Sequence, residues 1–351
     1  MPLTDLNRAE LFAYRPDVAE PDDLDQSWRS TLGAADEVGL DARFQPVDNG
    51  LRQVETFDVR FSGHGGDQLN GWLHLPAGAE PPLPAVVQFQ GYSGGRGLPH
   101  ENNLWALAGY AHLVVDTRGQ GWGWMVGATP DPVSSPPSAP GLMTKGILDP
   151  ATYYYRRVYV DTVRAVAAVR SHSRVDGTRL AVVGGSQGGG LSIAAGALAP
   201  GVSAVMADVP FLCHFRRATD IATAGPYLEI GQYMASHRDD VEKVFATLGY
   251  FDVANLAKRA TAPALFSIAL MDQICPPSTC MAAYRLYGGP TDLRLYEFKT
   301  TRAARRSSNG NSCVGSATGC RVGAPARLAR SAEPVDSAST GQVAQLVRAS
   351  A

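Results

Sequence analysis

Cysteine is scarce in this chain, with five residues in 351, too few and too unevenly spaced for a disulfide framework. Cys275 and Cys280 lie close together, but no two further ligands stand near them, so a zinc site is excluded and reduced, partly buried thiols are expected. No apolar run approaches membrane-spanning length, and residues 1–20 are polar with no signal-peptide core, which points to a cytoplasmic protein. Neither sign of charge dominates. With 31 Lys and Arg against 33 Asp and Glu, and no basic stripe or acidic tail, nothing favours a nucleic acid or membrane partner. The partner to expect is a small, mostly neutral molecule. Two further absences are local: no histidine follows His237, and residues 299–351 contain no aromatic residue.

What is present is the alternation of a large α/β domain. Residues 1 to about 50 read as a peripheral arm, with Pro21, Asp22 and Asp23 starting a helix and Trp28 anchoring it. Phe57, Val59 and Phe61 alternate with Asp58 and Arg60, and the turn at residues 63–67 leads to a second strand at 69–75, predicting an edge hairpin. Residues 85–89 and 111–116 are nearly continuous apolar runs a helix-length apart, the pattern of parallel strands covered on both faces. Residues 119–149 are rich in Pro, Gly and Ser and too long for an ordinary connection, which predicts a functional loop or an interface insertion. A helix over 153–172 carries Val160, Val163, Val166 and Val169 on one face. Strands at 180–183, 202–207, 264–270 and 293–298 complete a mostly parallel sheet with helices on both faces. Residues 299–351 lose periodicity and turn to Ala, Ser, Gly and Arg, so the chain divides into a domain at 1–298 and a tail expected not to fold with it.

The chemistry concentrates where the strand at 180–183 stops in glycine and a helix begins. Gly184-Gly185-Ser186-Gln187-Gly188 spells G-x-S-x-G, the nucleophile elbow of α/β-hydrolases, in which small neighbours let strand and helix meet around an exposed serine. The simpler alternative is a glycine-rich turn with a serine helix cap. A serine nucleophile needs a histidine base oriented by a carboxylate, in the chain order Ser, acid, His. Asp272 follows the strand at 264–270, at the sheet end where the acid belongs; its alternative role is capping a helix over 274–287. An oxyanion hole takes one N–H from the residue after the nucleophile, Gln187, and one from a loop after an earlier strand, where Tyr92 begins a glycine-rich run at 91–97. That run has neither a Walker lysine nor dinucleotide spacing, so phosphate cradling is disfavoured.

Taken together, Gly91-Tyr92-Ser93-Gly94-Gly95-Arg96-Gly97, Asp116-Thr117-Arg118-Gly119-Gln120-Gly121, the stretches at 146–150 and 153–157, the elbow, and Asp272-Gln273-Ile274-Cys275-Pro276-Pro277 resemble the acetyl xylan esterase and cephalosporin C deacetylase family, carbohydrate esterase family 7. The resemblance covers residues 1–298. It implies an α/β-hydrolase that removes acetyl groups from xylo-oligosaccharides and related small esters without a cofactor, commonly as a hexamer with inward-facing sites. By the same resemblance Ser186 is the nucleophile, Asp272 the acid, Tyr92 and Gln187 the oxyanion donors, and Arg118, Gly119 and Gln120 a supporting motif.

The departure is at the end. The family follows its last strand with an Asn-His-Glu-Gly-Gly type motif carrying the base, and this chain has Thr300 and Thr301 there, leaving no identifiable triad histidine. Residues 299–304 can be encoded AAA ACC ACG AGG GCG GCG, which read from its third base gives Asn-His-Glu-Gly-Gly, so a reading-frame change near Phe298 is the expected origin of the tail. An esterase impaired by this loss is the first expectation. A non-catalytic binding protein on the same scaffold is the alternative, followed by a prolyl-oligopeptidase-type peptidase, which would need a gating domain absent from the pattern.

Overall fold

A computed structural model describes residues 3–132 and 141–300. Its nine strands are β1 (Arg43–Val47), β2 (Val54–Ser62), β3 (Gln68–Pro76), β4 (Leu83–Phe89), β5 (Ala111–Val115), β6 (Val175–Gly185), β7 (Ala204–Asp208), β8 (Ala264–Ala269) and β9 (Thr291–Tyr296). They form one sheet in the order β1-β2-β3-β5-β4-β6-β7-β8-β9. The pairings from β1 to β5 are antiparallel, and those joining β5, β4, β6, β7, β8 and β9 are parallel. This is a mixed sheet of the α/β-hydrolase kind. The helices are α1 (Arg8–Ala13), α2 (Leu24–Asp36), α3 (Leu104–Leu107), α4 (Tyr154–Arg170), α5 (Gln187–Leu198), α6 (Phe215–Ile221), α7 (Tyr227–Ser236), α8 (Val241–Gly249), α9 (Val253–Ala257) and α10 (Pro277–Leu286). Among the described residues, no helix is long and apolar enough to cross a membrane.

The apolar runs of the central strands are explained by burial on both faces. Val87, Val182 and Val205 point into the larger core with α4 and α5, while their neighbours Val86, Ala181, Val183 and Met206 join Trp105 and Tyr110 in a second cluster. Because successive side chains alternate across a sheet, a strand covered twice must be apolar at every position. On α4, Val160, Val166 and Val169 are buried and Val163 is partly so. The helix also buries Tyr154, Tyr155 and Asp161, whose polar tips reach Gln120, Gln187 and Arg118, and Tyr159, whose hydroxyl donates to the Phe251 carbonyl.

Two expectations change. The hairpin of β2 and β3 is not at the edge of the sheet, because β1 pairs along β2 from Arg43 opposite Arg60 to Val47 opposite Thr56. Its sequence, Arg-Phe-Gln-Pro-Val, lacks a buried face and carries a proline, a composition tolerated at an edge and difficult to recognise as a strand. The N-terminal arm is also tied closely to the core. Trp28 packs on Tyr159 and Phe251 and donates from Nε1 to the Tyr250 carbonyl at 3.0 Å. Leu11 and Leu24 are buried in the same cluster. Residues 301–351, expected to stand apart from the domain, lie outside the described residues, as do residues 133–140 of the long loop.

Candidate active site

Ser186 sits between β6 and α5 with φ 56° and ψ −121°, a left-handed conformation that costs a non-glycine residue on the order of 1–3 kcal/mol. Its backbone bonds hold it there. Ser186 N–H donates to the Asp208 carbonyl at 2.9 Å, while its own carbonyl accepts from Phe211 N–H at 2.9 Å and Gly190 N–H at 3.1 Å. The glycines are steric necessities. A Cβ on Gly184 would overlap the Gly188 backbone, and one on Gly188 would overlap the Phe89 carbonyl of β4. The crowding therefore involves a neighbouring strand as well as the turn itself.

Gln187 occupies the first position of α5, where a helix cannot satisfy its own N–H groups. Tyr92 lies in the loop after β4. Among the described residues, neither backbone N–H meets an acceptor. The Tyr92 side chain is anchored from behind: its hydroxyl donates to Glu229 Oε1 at 2.8 Å and accepts from Leu142 N–H at 2.8 Å. Glu229 on α7 also accepts from Met143 N–H at 3.0 Å, so the end of the long loop, α7 and the Tyr92 loop are knotted together. Burial raises the Glu229 carboxyl above its ordinary range, and burial followed by Glu229 raises the Tyr92 hydroxyl. Tyr92 is therefore a neutral donor here. Glu229 carries no motif and stands 137 residues from Tyr92, so sequence inspection missed it.

Gln120 joins the two loops. Its Oε1 accepts from Ser93 N–H at 2.8 Å and from Gln187 Nε2 at 3.2 Å, and its Nε2 donates to Gln187 Oε1 at 2.9 Å and to Tyr154 OH at 3.0 Å. Tyr155 OH completes the cluster by donating to Gln187 Oε1 at 2.9 Å. Arg118, two residues earlier, is fully buried and held by Asp161 through two bonds, at 2.5 and 2.8 Å, and by Asp67 at 2.8 Å. Burial opposes its charge, and the attraction of Asp161 and Asp67 more than offsets this, leaving its pKa raised. Gly119 turns between them at φ +65°, where a Cβ would press on Asp131.

Asp272 is fully buried just beyond β8. Its Oδ1 accepts from Ile274 and Cys275 N–H, both at 2.9 Å, closing a turn ahead of α10, whose cap is Pro276 and not the aspartate. Cys275 then points at the elbow, with its Sγ 3.5 Å from Ser186 Oγ. Asp272 and Ser186 are thus brought to one end of the sheet, with a single residue between them in the chain of contacts. The three described cysteines, Cys213, Cys275 and Cys280, are buried and free.

None of the seven histidines hydrogen-bonds to Ser186. His214 pairs with Tyr14 OH at 3.1 Å, and His237 stacks on Tyr233 and bonds its carbonyl at 2.9 Å. The segment after β9 nevertheless arrives beside the residues that lead to Asp272: Leu270 N–H donates to the Tyr296 carbonyl at 3.0 Å and Met271 N–H to that of Lys299 at 3.3 Å. Thr300 follows, partly buried, and Thr301 lies outside the described residues.

Known proteins of similar sequence and fold identify the family. An acetyl xylan esterase from Paenibacillus sp. R4 superposes with a TM-score of 0.81 at 39% identity, covering 87% of this chain and 99% of its own. Acetyl xylan esterase 1 from a Thermoanaerobacterium gives 0.78 at 31% identity, covering 85% and 94%. An acylaminoacyl peptidase from Pyrococcus horikoshii, at 18% identity and TM-score 0.55 over 75% of this chain and 40% of its own, shares the fold alone. A curated acetyl esterase of Xylanibacter ruminicola is 28% identical over 284 residues, 79% of this chain, which spans 63% of that relative's length. The sequence profile of the acetyl xylan esterases matches residues 1–309, and the chain belongs to that family.

Proposed function

We propose that this protein is a serine esterase that hydrolyses acetyl esters of xylo-oligosaccharides and related small molecules, deacetylation of the cephalosporin C type included, through an acetyl-enzyme on Ser186. The observation that carries the proposal is the conjunction of a strained, backbone-locked serine with two N–H groups that have no acceptor among the described residues. Ser186 Oγ attacks the acetyl carbonyl while its proton passes to a base, the imidazole expected after β9; Tyr92 and Gln187 N–H stabilise the oxyanion; the base returns the proton to the departing sugar oxygen, and water deprotonated by the same base releases acetate and regenerates the serine. Asp272 is the triad acid in this proposal. It would orient an imidazole arriving after β9, at the position of Thr300 and Thr301.

Because that imidazole is missing from the sequence, the chain as it stands is proposed to be an impaired enzyme, with the segment after Phe298 the product of a reading-frame change. The missing histidine is also the one observation that favours a non-catalytic binding protein on this scaffold. Assembly into a homo-oligomer, hexameric by family resemblance, is part of the proposal. A cytoplasmic location is the last part, and the three free, buried thiols are consistent with it. The test is a fluorophosphonate probe followed by peptide mapping, applied to the chain with the segment after Phe298 restored to the Asn-His-Glu-Gly-Gly pattern and to the Ser186→Ala variant of that restored chain. Adduct on Ser186 alone, lost in the variant, is the expected result. Labelling at another serine, or undiminished labelling of the variant, overturns it.

A further inference from the structure

Two tryptophans stand exposed beside the site, and neither the acyl chemistry nor the core uses them. Trp122 is 59% exposed and Trp124 45%. They belong to the sequence Gly121-Trp122-Gly123-Trp124, in which glycine at alternate positions leaves the indoles as the only side chains. The loop is clamped to the oxyanion loop. Gly123 N–H donates to the Ser93 carbonyl at 2.9 Å, and Trp124 Nε1 donates to the Tyr92 carbonyl at 3.1 Å. The Trp122 ring meets the Tyr92 ring nearly perpendicularly, with 6.1 Å between centroids.

The fit depends on the absence of side chains. A Cβ on Gly123 would overlap the Ser93 side chain, one on Gly94 would overlap the Trp124 ring, and one on Gly121, at φ +109°, would overlap the Gly127 backbone. Two large apolar surfaces are therefore held rigidly in water next to the proposed oxyanion donor. Leaving an indole exposed forgoes the burial energy of a side chain of 150–250 Å². Rigid presentation lowers the entropy that a bound ligand must otherwise remove.

We propose that Trp122 is a stacking platform for a xylopyranosyl ring of the substrate, packing against the apolar C–H face of the sugar while the hydroxyl rim stays in water. The substrate's identity rests on the esterase proposal above. The contact with Tyr92 supplies the position: a sugar whose acetyl carbonyl reaches Tyr92 N–H lies beside the ring that Trp122 touches.

The experiment needs no turnover and uses the chain as it exists. Titrate it with unsubstituted xylotetraose, reading tryptophan emission and heat, and compare Trp122→Ala, Trp122→Phe and a control, Leu107→Ala, at an apolar side chain equally exposed on α3. Affinity should fall about tenfold in Trp122→Ala, equivalent to ~1.4 kcal/mol, recover in part with phenylalanine, and stay unchanged in the control. Melting temperatures near that of the parent exclude unfolding. Should a variant unfold, quenching of the parent's emission by xylotetraose, blocked by selective oxidation of exposed indoles, takes its place. Equal affinity of Trp122→Ala and parent overturns the proposal, as does failure of the parent to bind. A changed molecular mass in Trp122→Ala with sugar binding intact assigns the indoles to an interface between copies and overturns it too. Probe labelling of Ser186 stands apart from all of these, so failure of the platform and failure of the esterase proposal are distinguishable.

Discussion

The two sides of the site are built differently. On the nucleophile side, three backbone bonds lock Ser186, glycines at 184 and 188 admit the β4 carbonyl and the turn, and Gln120 ties the Tyr92 loop to α5. On the side of Asp272, the proposed acid, Oδ1 accepts two backbone N–H groups, and β9, the last strand among the described residues, has all six residues only partly buried. Phe298 follows at 81% exposed. Local backbone contacts fix the proposed nucleophile because an elbow is a short-range structure, whereas the proposed base would come from a separate part of the chain.

The largest effect should come from finishing the weaker side. Replacing the segment after Phe298 with an Asn-His-Glu-Gly-Gly motif and its following helix should raise acetyl ester turnover by as much as ~10⁶, the loss that accompanies removal of a triad histidine. Steady-state hydrolysis of a nitrophenyl acetate measures it. Turnover in the present chain already equal to that of the completed one would erase the contrast between the two sides and point back to His214 or His237.

A smaller effect, on the stronger side, is predicted for Gly188→Ala. The new methyl group has the Phe89 carbonyl in its place, and neither β4 nor α5 can retreat without disturbing the core. A destabilisation of ~3 kcal/mol is expected from such overpacking, read as a lower denaturation midpoint. A neutral outcome at 188 would show that the elbow is less constrained than its contacts suggest; Gly50→Ala, at φ +71° with nothing near its Cβ, gives the cost of backbone strain without crowding for comparison.

The smallest effect concerns coupling between the loops. Gln120→Ala deletes four side-chain bonds without touching the attacking atom or either oxyanion N–H. In the completed enzyme kcat should fall by roughly 30-fold with KM little changed, less than the 10²–10³ lost when an oxyanion donor is removed outright. Gln120→Glu should keep the bonds that Oε1 accepts from Ser93 N–H and Gln187 Nε2 and lose the two that Nε2 donates, for a partial rescue. A fall confined to KM would mean that Gln120 acts on binding and not on the oxyanion geometry.

Much of this is legible in the sequence itself. The elbow could be recognised because its parts are contiguous: the apolar residues 180–183, the glycines and Ser186 specify a strand, a turn and a helix within a dozen residues. The central strands were visible for a similar reason, since burial on both faces writes apolar residues at every position. β1 was not, because an exposed edge strand imposes no pattern, and its five residues resemble a loop. Glu229 and Cys275 were equally hidden as site residues; each acts on a partner 137 or 89 positions away, and their local sequence contains nothing that marks the contact.

By itself the sequence determined the family, the place of Ser186 at the end of β6 and the want of a histidine after His237, because each depends on residue identity over short spans. Only the tertiary structure decided that Glu229 anchors Tyr92, that Gln120 bridges the Tyr92 loop and the start of α5, and that Cys275 stands between acid and serine. Those relations depend on how nine strands are ordered and registered, and the order of a sheet is set by long-range packing that no local spacing records.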